Sequence, residues 1–258
     1  MTDKSENDHN ARLRPFDDAL VALSFFTRVP VPARQRSLAG AGYCFPLVGA
    51  LVGGFGALIL TVSAALGLSP WIGAFLAVAA TALVTGALHE DGLADTADGL
   101  ASGRSAQARL EIMRDSRTGA FGVLALILAT GLKAAALASM AAPAAALALV
   151  AAHAAARGVL PSVMAMMPTA STTGMAARAG RPSLGAAGAA AAIGAVLVLA
   201  LLAPRAGLTA MAAVAAIAWI MCWLARRLFG GYNGDVLGAI EQVAEIAVLV
   251  AAASGGRN

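Results

Sequence analysis

Long apolar stretches of about 20 residues recur along most of this 258-residue chain. A helix of that length crosses a bilayer, and lipid leaves backbone groups no partners except inside helices or closed barrels. Only 12% of the residues are charged, against roughly 25% in soluble domains. The sequence therefore predicts an all-α, polytopic integral membrane helix bundle with about seven transmembrane helices. The predicted spans are residues 43–66, 70–90, 119–141, 144–166, 187–203, 208–225 and 236–254.

The ends of the chain are polar and lie outside these spans. We expect a disordered N-terminus at 1–15, one membrane-embedded catalytic domain at 16–254 and a tail at 255–258. The N-terminus lacks the apolar core of a cleavable signal peptide.

A short apolar segment at 16–29 precedes the first span. It is too short to cross a membrane easily, so we interpret it as an interfacial helix. Phe16, Phe25 and Phe26 would anchor that helix.

Basic residues concentrate in every second connection between the predicted spans. Because cytoplasmic loops are enriched in Lys and Arg, this alternation predicts a cytoplasmic N-terminus and, with seven spans, an external C-terminus. The formal net charge of +4 then reflects membrane orientation rather than nucleic-acid binding. Cys44 and Cys222 lie in separate apolar segments, which predicts neither a disulfide nor a zinc site.

An acidic motif, HEDGLADTADG at 89–99, ends the second apolar stretch. On insertion scales an Asp costs about 2.5–3.5 kcal/mol at the centre of a membrane helix and less toward the interface. Asp91, Asp95 and Asp98 therefore imply a compensating partner, and bound cations are the obvious candidate. The orientation above places this motif on the cytoplasmic side.

The spacing of these three aspartates puts them on one face of a helix. Asp91 and Asp95 would lie about 6 Å apart along the axis, close enough for one hydrated Mg²⁺, whereas Asp98 would lie about 10.5 Å from Asp91. Either two metal ions bind, or a second helix completes the site, or Asp98 is a general base. The alternative without chemistry is a solvated acidic loop, with Asp98-Gly99 ending the helix.

A second polar segment, GGYNGDVLGA at 230–239, precedes the last span. Its glycines allow a backbone to approach a ligand closely. Asp235 suits a helix N-terminus, and Glu241 and Glu245 form an i, i+4 pair inside the membrane, where carboxylates are seldom idle. The plainer alternative is a helix cap followed by two interfacial acids.

Basic side chains complete the set of candidates. Arg114 and Arg117 precede the third span and can bind phosphate oxygens, although such a loop also suits membrane orientation alone. His153 and Arg157 share a face of the fourth span. Lys133 lies well inside the third span and could merely extend to the interface.

Small residues in the first span favour close helix packing. Gly49 and Gly53 form a small-xxx-small pair. Such faces could also pack two copies of the chain, so a homo-oligomer is a possibility.

At these motifs the chain resembles the cobalamin synthase family, the adenosylcobinamide-GDP ribazoletransferases. Asn233 stands where the family usually has Thr, and Glu90 where an apolar residue is more usual. The matching stretches are LSFFTRVPVP at 23–32, FPLVG at 45–49, HEDGLADTADG at 89–99, RDSRTGAFG at 114–122 and GGYNGDVLGA at 230–239.

The resemblance implies a Mg²⁺-dependent enzyme of the bacterial inner membrane whose active site faces the cytoplasm. It would join adenosylcobinamide-GDP to α-ribazole or its 5′-phosphate, with release of GMP and with membrane lipids around it. The catalytic residues would be Asp91, Asp95, Asp98 and Asp235, the first three of them metal ligands. The substrate-binding residues would be His89, Arg114, Arg117, His153, Arg157, Asn233, Glu241 and Glu245.

Two other functions are compatible with the same residues. A CDP-alcohol-type phosphotransferase acting on a lipid alcohol also uses aspartates on membrane helices to hold metal ions. A cation-coupled transporter would use the intramembrane Asp, His and Arg as an ion pathway, but the acids cluster at one surface and no internal repeat is convincing.

Overall fold

The computed structural model describes residues 14–32, 36–101 and 105–255. Within them the chain forms eleven α-helices, one 3₁₀ turn and no strand. The predicted disordered N-terminus and C-terminal tail fall almost wholly outside the described residues. The helices are α1 (Pro15–Phe26), α2 (Phe45–Ala65), α3 (Pro70–Thr85), α4 (Leu88–Ala101), α5 (Ala106–Met113), α6 (Ala120–Ala138), α7 (Ala142–Met166), α8 (Met175–Ala179), α9 (Leu184–Leu201), α10 (Pro204–Phe229) and α11 (Gly234–Gly255).

The membrane character predicted from composition is confirmed. In the part of the chain that the structure describes, six helices are long and apolar enough to cross a bilayer. The bent pair α3 and α4 brings the number to seven if it counts as one span. The six begin and end within a few residues of the predicted bounds. They are α2 with its preceding 3₁₀ turn, α6, α7, α9, α10 and α11.

The predicted span 70–90 is the one that differs. Its helix ends at Thr85, and α4 then leaves at an angle of 92°. Gly86 and Ala87 make the bend with φ values of 65° and 55°. The left-handed conformation is costly for Ala, and the apolar composition around it gives no sign of the break. The acidic motif therefore occupies a separate helix rather than the end of a span.

Helix α7 lies at the centre of the bundle. It packs against α2, α9 and α11, and 67% of its most apolar window is buried, as in α11. Its many alanines, such as Ala148, Ala151 and Ala152, are buried. Short side chains let neighbouring backbones approach closely, which suits a helix with neighbours on several sides.

Helix α1 is too short to span, as predicted, but it is not only a membrane anchor. Its buried Asp18 accepts hydrogen bonds from Arg36 Nε (2.7 Å) and Tyr43 Oη (2.7 Å). Burial raises the pKa of Asp18, but bonds from Arg36, Tyr43 and the Arg14 backbone outweigh burial and lower the pKa overall. These bonds tie α1 to the segment that leads into α2.

The predicted interfacial phenylalanines divide between two environments. Phe16 is exposed, whereas Phe26 is buried and packs edge-to-face on Phe45 and beside the His89 ring. The interfacial interpretation was therefore wrong for Phe26, which belongs to the core.

The contact between α2 and α7 requires the two predicted glycines. A Cβ at Gly49 would overlap the backbone of His153. A Cβ at Gly53 would lie 2.5 Å from the Leu149 carbonyl oxygen and 2.8 Å from Val150 Cα. Gly54, the next residue, has nothing within 4 Å of a Cβ position.

Replacing Gly53 by Ala should therefore destabilise the bundle, since the clash is with backbone. Overpacking of this kind costs about 1–3 kcal/mol, which lowers Tm by roughly 2–10 °C. Thermal unfolding of the detergent-solubilised protein measures the shift. Gly54→Ala is the control, with an expected Tm equal to or slightly above that of the unaltered chain. Equal Tm values for both variants would contradict the packing described here.

Candidate active site

Helices α4 and α11 cross at two glycines. A Cβ at Gly92 would lie 2.8 Å from the Asp235 carbonyl oxygen, and one at Gly238 would lie 3.1 Å from that of His89. The absence of side chains at both positions lets the two backbones touch. The crossing places the acidic motif beside the start of the last span, although the two segments are far apart in the sequence.

This crossing gathers four of the predicted acids. Asp95 lies within electrostatic range of the carboxyl groups of Asp91, Asp98 and Asp235. Asp235 is also within range of Asp91. Asp91 is exposed, and the other three are partly buried. A second helix thus contributes to the cluster, as one of the sequence alternatives required.

Asp98 is held by backbone groups of the next span. Its two carboxylate oxygens accept hydrogen bonds from the N–H groups of Gly119 (2.7 Å) and Gly122 (2.9 Å). An added Cβ at either glycine would come within 2.5 Å of an Asp98 oxygen. Asp98 therefore caps α6, and it fixes the loop that carries the two arginines.

Asn233 caps α11. Its Oδ1 accepts from the Val236 N–H (2.9 Å), and its Nδ2 donates to Asp235 Oδ2 (2.8 Å). One side chain therefore starts the helix and orients the carboxylate of Asp235.

The two predicted phosphate-binding arginines lie in different surroundings. Arg114 is exposed, its charge reaches Asp235, and its Nη2 is 3.5 Å from Ser171 Oγ. Arg117 is also exposed and pairs with Asp115 at 2.6 Å, a pairing that lowers the pKa of Asp115 to about 2. Arg114 therefore interacts with Asp235 of the aspartate cluster, whereas Arg117 lines a surface cavity with Asp98.

A chain of buried charges lies behind the cluster, inside the bundle. Arg157 pairs with Glu241, and Lys133 Nζ lies 3.3 Å from Glu245 Oε1 and 2.8 Å from Gln242 Oε1. The four charged residues are each 1% exposed or less. Lys133 therefore does not extend to the interface, which corrects that sequence interpretation. We call these residues, with His89, His153 and Glu90, the buried charge network.

Two members of the network, Glu90 and Gln242, were assigned no role in the sequence analysis. Glu90 Oε1 accepts from Gln242 Nε2 (3.3 Å) and lies 3.8 Å from Lys133 Nζ. Glu90 stands beside the more conspicuous Asp91, and Gln242 beside Glu241. Polarity inside an apolar span was the only sequence signal for Gln242.

Arg157 also joins two histidines. Its Nη1 lies 2.9 Å from His153 Nδ1, and its Nη2 lies 3.3 Å from His89 Nδ1. His89 in turn lies 3.6 Å from Glu241 Oε2 and packs at 5.5 Å on the Phe26 ring.

Two places could hold a metal ion. Within the described residues, the trio whose ligand atoms lie within 4.8 Å of one another is His153, Glu241 and Glu245. Arg157 and Lys133 already neutralise these two glutamates, so this trio is poorly suited to a cation. The aspartates of the α4–α11 crossing are spaced more widely, and their hard oxygen donors suit a Mg²⁺ ion that keeps waters and shares substrate phosphate. The residues present at that crossing therefore fit the metal.

A cavity of about 700 Å³, including its open mouth, adjoins the crossing. It is bounded by α1, α2, α4, α7, α8, α11 and residue 38, and its wall is mostly apolar. The polar side chains on its wall are His89, Asp91 and Asp235. His153, Arg157, Glu241 and Glu245 are not among its lining residues and reach it only through His89.

Comparison with known proteins agrees with the motifs. The model of the cobalamin-5-phosphate synthase family matches residues 18–253. A protein of Bradyrhizobium diazoefficiens named adenosylcobinamide-GDP ribazoletransferase is 47% identical over 92% of this chain and 93% of its own length. Proteins of the same name from Mesorhizobium japonicum (43% identical, 92% of each chain) and Sinorhizobium medicae (39%, 92% of this chain and 96% of the relative) are also similar.

No solved structure matches the chain. The family match covers every motif described above and both helices of the α4–α11 crossing. The chain belongs to the cobalamin-5-phosphate synthase family, and it is an enzyme of cobalamin biosynthesis built as a multi-pass helical membrane protein.

Proposed function

We propose that the enzyme joins adenosylcobinamide-GDP to α-ribazole or its 5′-phosphate and releases GMP. The observation that carries this proposal is the α4–α11 crossing, where Asp91 and Asp235 line a cavity and Asp95 lies close to both carboxylates. A diphosphate substrate needs its charge neutralised, and the cluster with Arg114 beside it offers both metal-binding oxygens and a guanidinium.

The reaction is a substitution at phosphorus. A hydroxyl of the ribazole attacks the phosphorus attached to cobinamide, the bond from that phosphorus to the GMP oxygen breaks, and the hydroxyl proton passes to a base. Mg²⁺, when bound, would neutralise the charge on the diphosphate and on the departing GMP. Asp91, Asp95 and Asp235 would bind it, while Arg114 and Arg117 would contact phosphate oxygens.

Asp98 has two roles open to it in this scheme. It can accept the proton or contribute a metal ligand, since each carboxylate oxygen keeps a lone pair beyond its backbone hydrogen bond. Its bonds to the start of α6 also give it a positioning role, because they hold the loop of Arg114 and Arg117 against the cluster.

Orientation follows from charge. We propose that the protein lies in the bacterial inner membrane with the α4–α11 crossing on the cytoplasmic side. The basic ends of α10, Arg226 and Arg227, and the loop of Arg114 would then lie on the same, cytoplasmic side.

GMP release tests the function directly. Purified protein should release GMP from adenosylcobinamide-GDP only with both α-ribazole 5′-phosphate and Mg²⁺, and EDTA should stop it. Asp95→Asn should lower the rate roughly 10²–10³-fold, because an electrostatic contact to the reacting diphosphate is lost. Glu111→Gln, which changes an exposed acid outside the site, is the control and should keep the rate.

Other outcomes point to other functions. Release of a nucleoside monophosphate from CDP-alcohols would indicate a lipid-directed phosphotransferase. Saturable substrate uptake into vesicles without GMP would indicate a transporter. Full activity of Asp95→Asn would remove the aspartate cluster from the mechanism.

The positioning role of Asp98 is separable by experiment from its chemical roles. In Asp98→Asn one backbone N–H faces an amide NH₂, so the start of α6 should loosen. We expect faster hydrogen exchange at Gly119 and Gly122 and a higher KM for adenosylcobinamide-GDP. Asp115→Asn, which breaks only the exposed contact to Arg117, should change both values little. Loss of kcat with unchanged exchange and KM would instead show that Asp98 acts in the chemistry, as base or as metal ligand.

A further inference from the structure

The wall of the cavity beside the crossing is mostly apolar and carries only three polar side chains. Eleven of its sixteen lining residues carry apolar or aromatic side chains, alanine included. They come from α1, α2, α4, α7, α8, α11 and residue 38. Phe25, Phe26 and Phe45 give it aromatic surface. Two of its three polar side chains, Asp91 and Asp235, belong to the aspartate cluster. His89 is therefore the polar side chain available to a ligand outside that cluster.

Arg157 determines which nitrogen of His89 carries the proton. A guanidinium has only donors, so His89 Nδ1, 3.3 Å from Arg157 Nη2, must accept. The proton of the neutral ring then lies on Nε2. The carboxylate oxygen Oε2 of Glu241 lies farther from the same nitrogen, at 3.6 Å. His89 Nε2–H is thus a hydrogen-bond donor on a side chain that lines the cavity.

His153 makes the same contact to Arg157 as His89, but it does not line the cavity. Its Nδ1 also accepts from Arg157, and its Nε2 is sealed and unpartnered. His89 Nε2 has no partner within the described residues either, but His89 lines the cavity. A ligand there can therefore supply the acceptor that the protein does not.

We propose that this cavity binds the aromatic base of the acceptor substrate, and that His89 Nε2–H donates to the bare ring nitrogen of that base. The inference rests on the proposed function. A benzimidazole fits the wall because it has one bare nitrogen and otherwise apolar edges, and its faces can stack on phenylalanine rings. Guanine fits poorly because its carbonyl, ring N–H and amino group would lose water without partners, at about 1–3 kcal/mol each. The guanosine of the other substrate therefore lies elsewhere.

An acceptor analogue isolates this hydrogen bond without altering the protein. In the analogue, the bare nitrogen of α-ribazole is replaced by C–H, which keeps the shape of the ring. We expect the unaltered enzyme to bind the analogue roughly 10–100-fold more weakly, as for other buried hydrogen bonds. Equilibrium dialysis measures binding without turnover, and GMP release gives kcat/KM for both acceptors.

Two His89 variants and a matched control test whether His89 causes the preference for α-ribazole over the analogue. His89→Leu should bind α-ribazole and the analogue equally, with the KM for adenosylcobinamide-GDP changed little. His89→Gln places an amide N–H near the position of Nε2 and should restore much of the preference. His153→Leu loses the same contact to Arg157 outside the cavity and should keep the full preference.

The outcomes separate this inference from the proposed function. Discrimination in dialysis without GMP release would support the base site and overturn the transferase. GMP release with equal use of both acceptors would uphold the transferase and overturn the base site. Competition of GMP with α-ribazole for one site would also overturn it, as would full discrimination in His89→Leu.

Discussion

Pairing of charges inside the membrane is the constraint on which the rest of the structure depends. Glu241 lies seven residues into α11, about 10 Å below its start, and Glu245 lies about 16 Å below it. At that depth an unpaired charge is costly, and removing one partner of a buried pair typically costs about 3–5 kcal/mol. Arg157 and Lys133 therefore pin α7 and α6 against α11 in one register. That register sets the position of α11 and of everything that packs on it.

A close contact between α4 and α11 then brings the aspartates of the candidate site together. Gly92 and Gly238 allow α4 to lie directly on α11, and the bend at Gly86 and Ala87 turns α4 across the bundle rather than along it. A straight continuation of α3 would have carried the aspartates away from Asp235. The acids are thus brought together by two backbone features, a left-handed turn and a glycine crossing, and not by attraction between like charges.

Much of the fold could be predicted from the sequence because hydropathy reports burial in lipid directly. The bounds of six spans, the short first helix and the helical face of Asp91 and Asp95 followed from length and periodicity. The bend after Thr85 did not, because the composition stays apolar through it. The partners of Lys133 could not be predicted either, because Gln242 and Glu245 are more than a hundred residues away in the sequence and no local pattern links them to it. Asp98 looked like a ligand, and only the tertiary structure shows its bonds to the start of α6.

The acids of this protein fall into two groups with different surroundings, and His89 is the contact between them. Within the described residues, Asp91, Asp95 and Asp235 have no basic partners of equal number, so a bound cation would relieve their mutual repulsion. Glu241 and Glu245 already have their cations and are sealed from solvent. Because Arg157 binds both Glu241 and His89, the sealed group holds the ring of His89 in one orientation at the cavity. The buried charges therefore need not touch a substrate to affect catalysis, since they determine which hydrogen-bonding group the cavity presents to it.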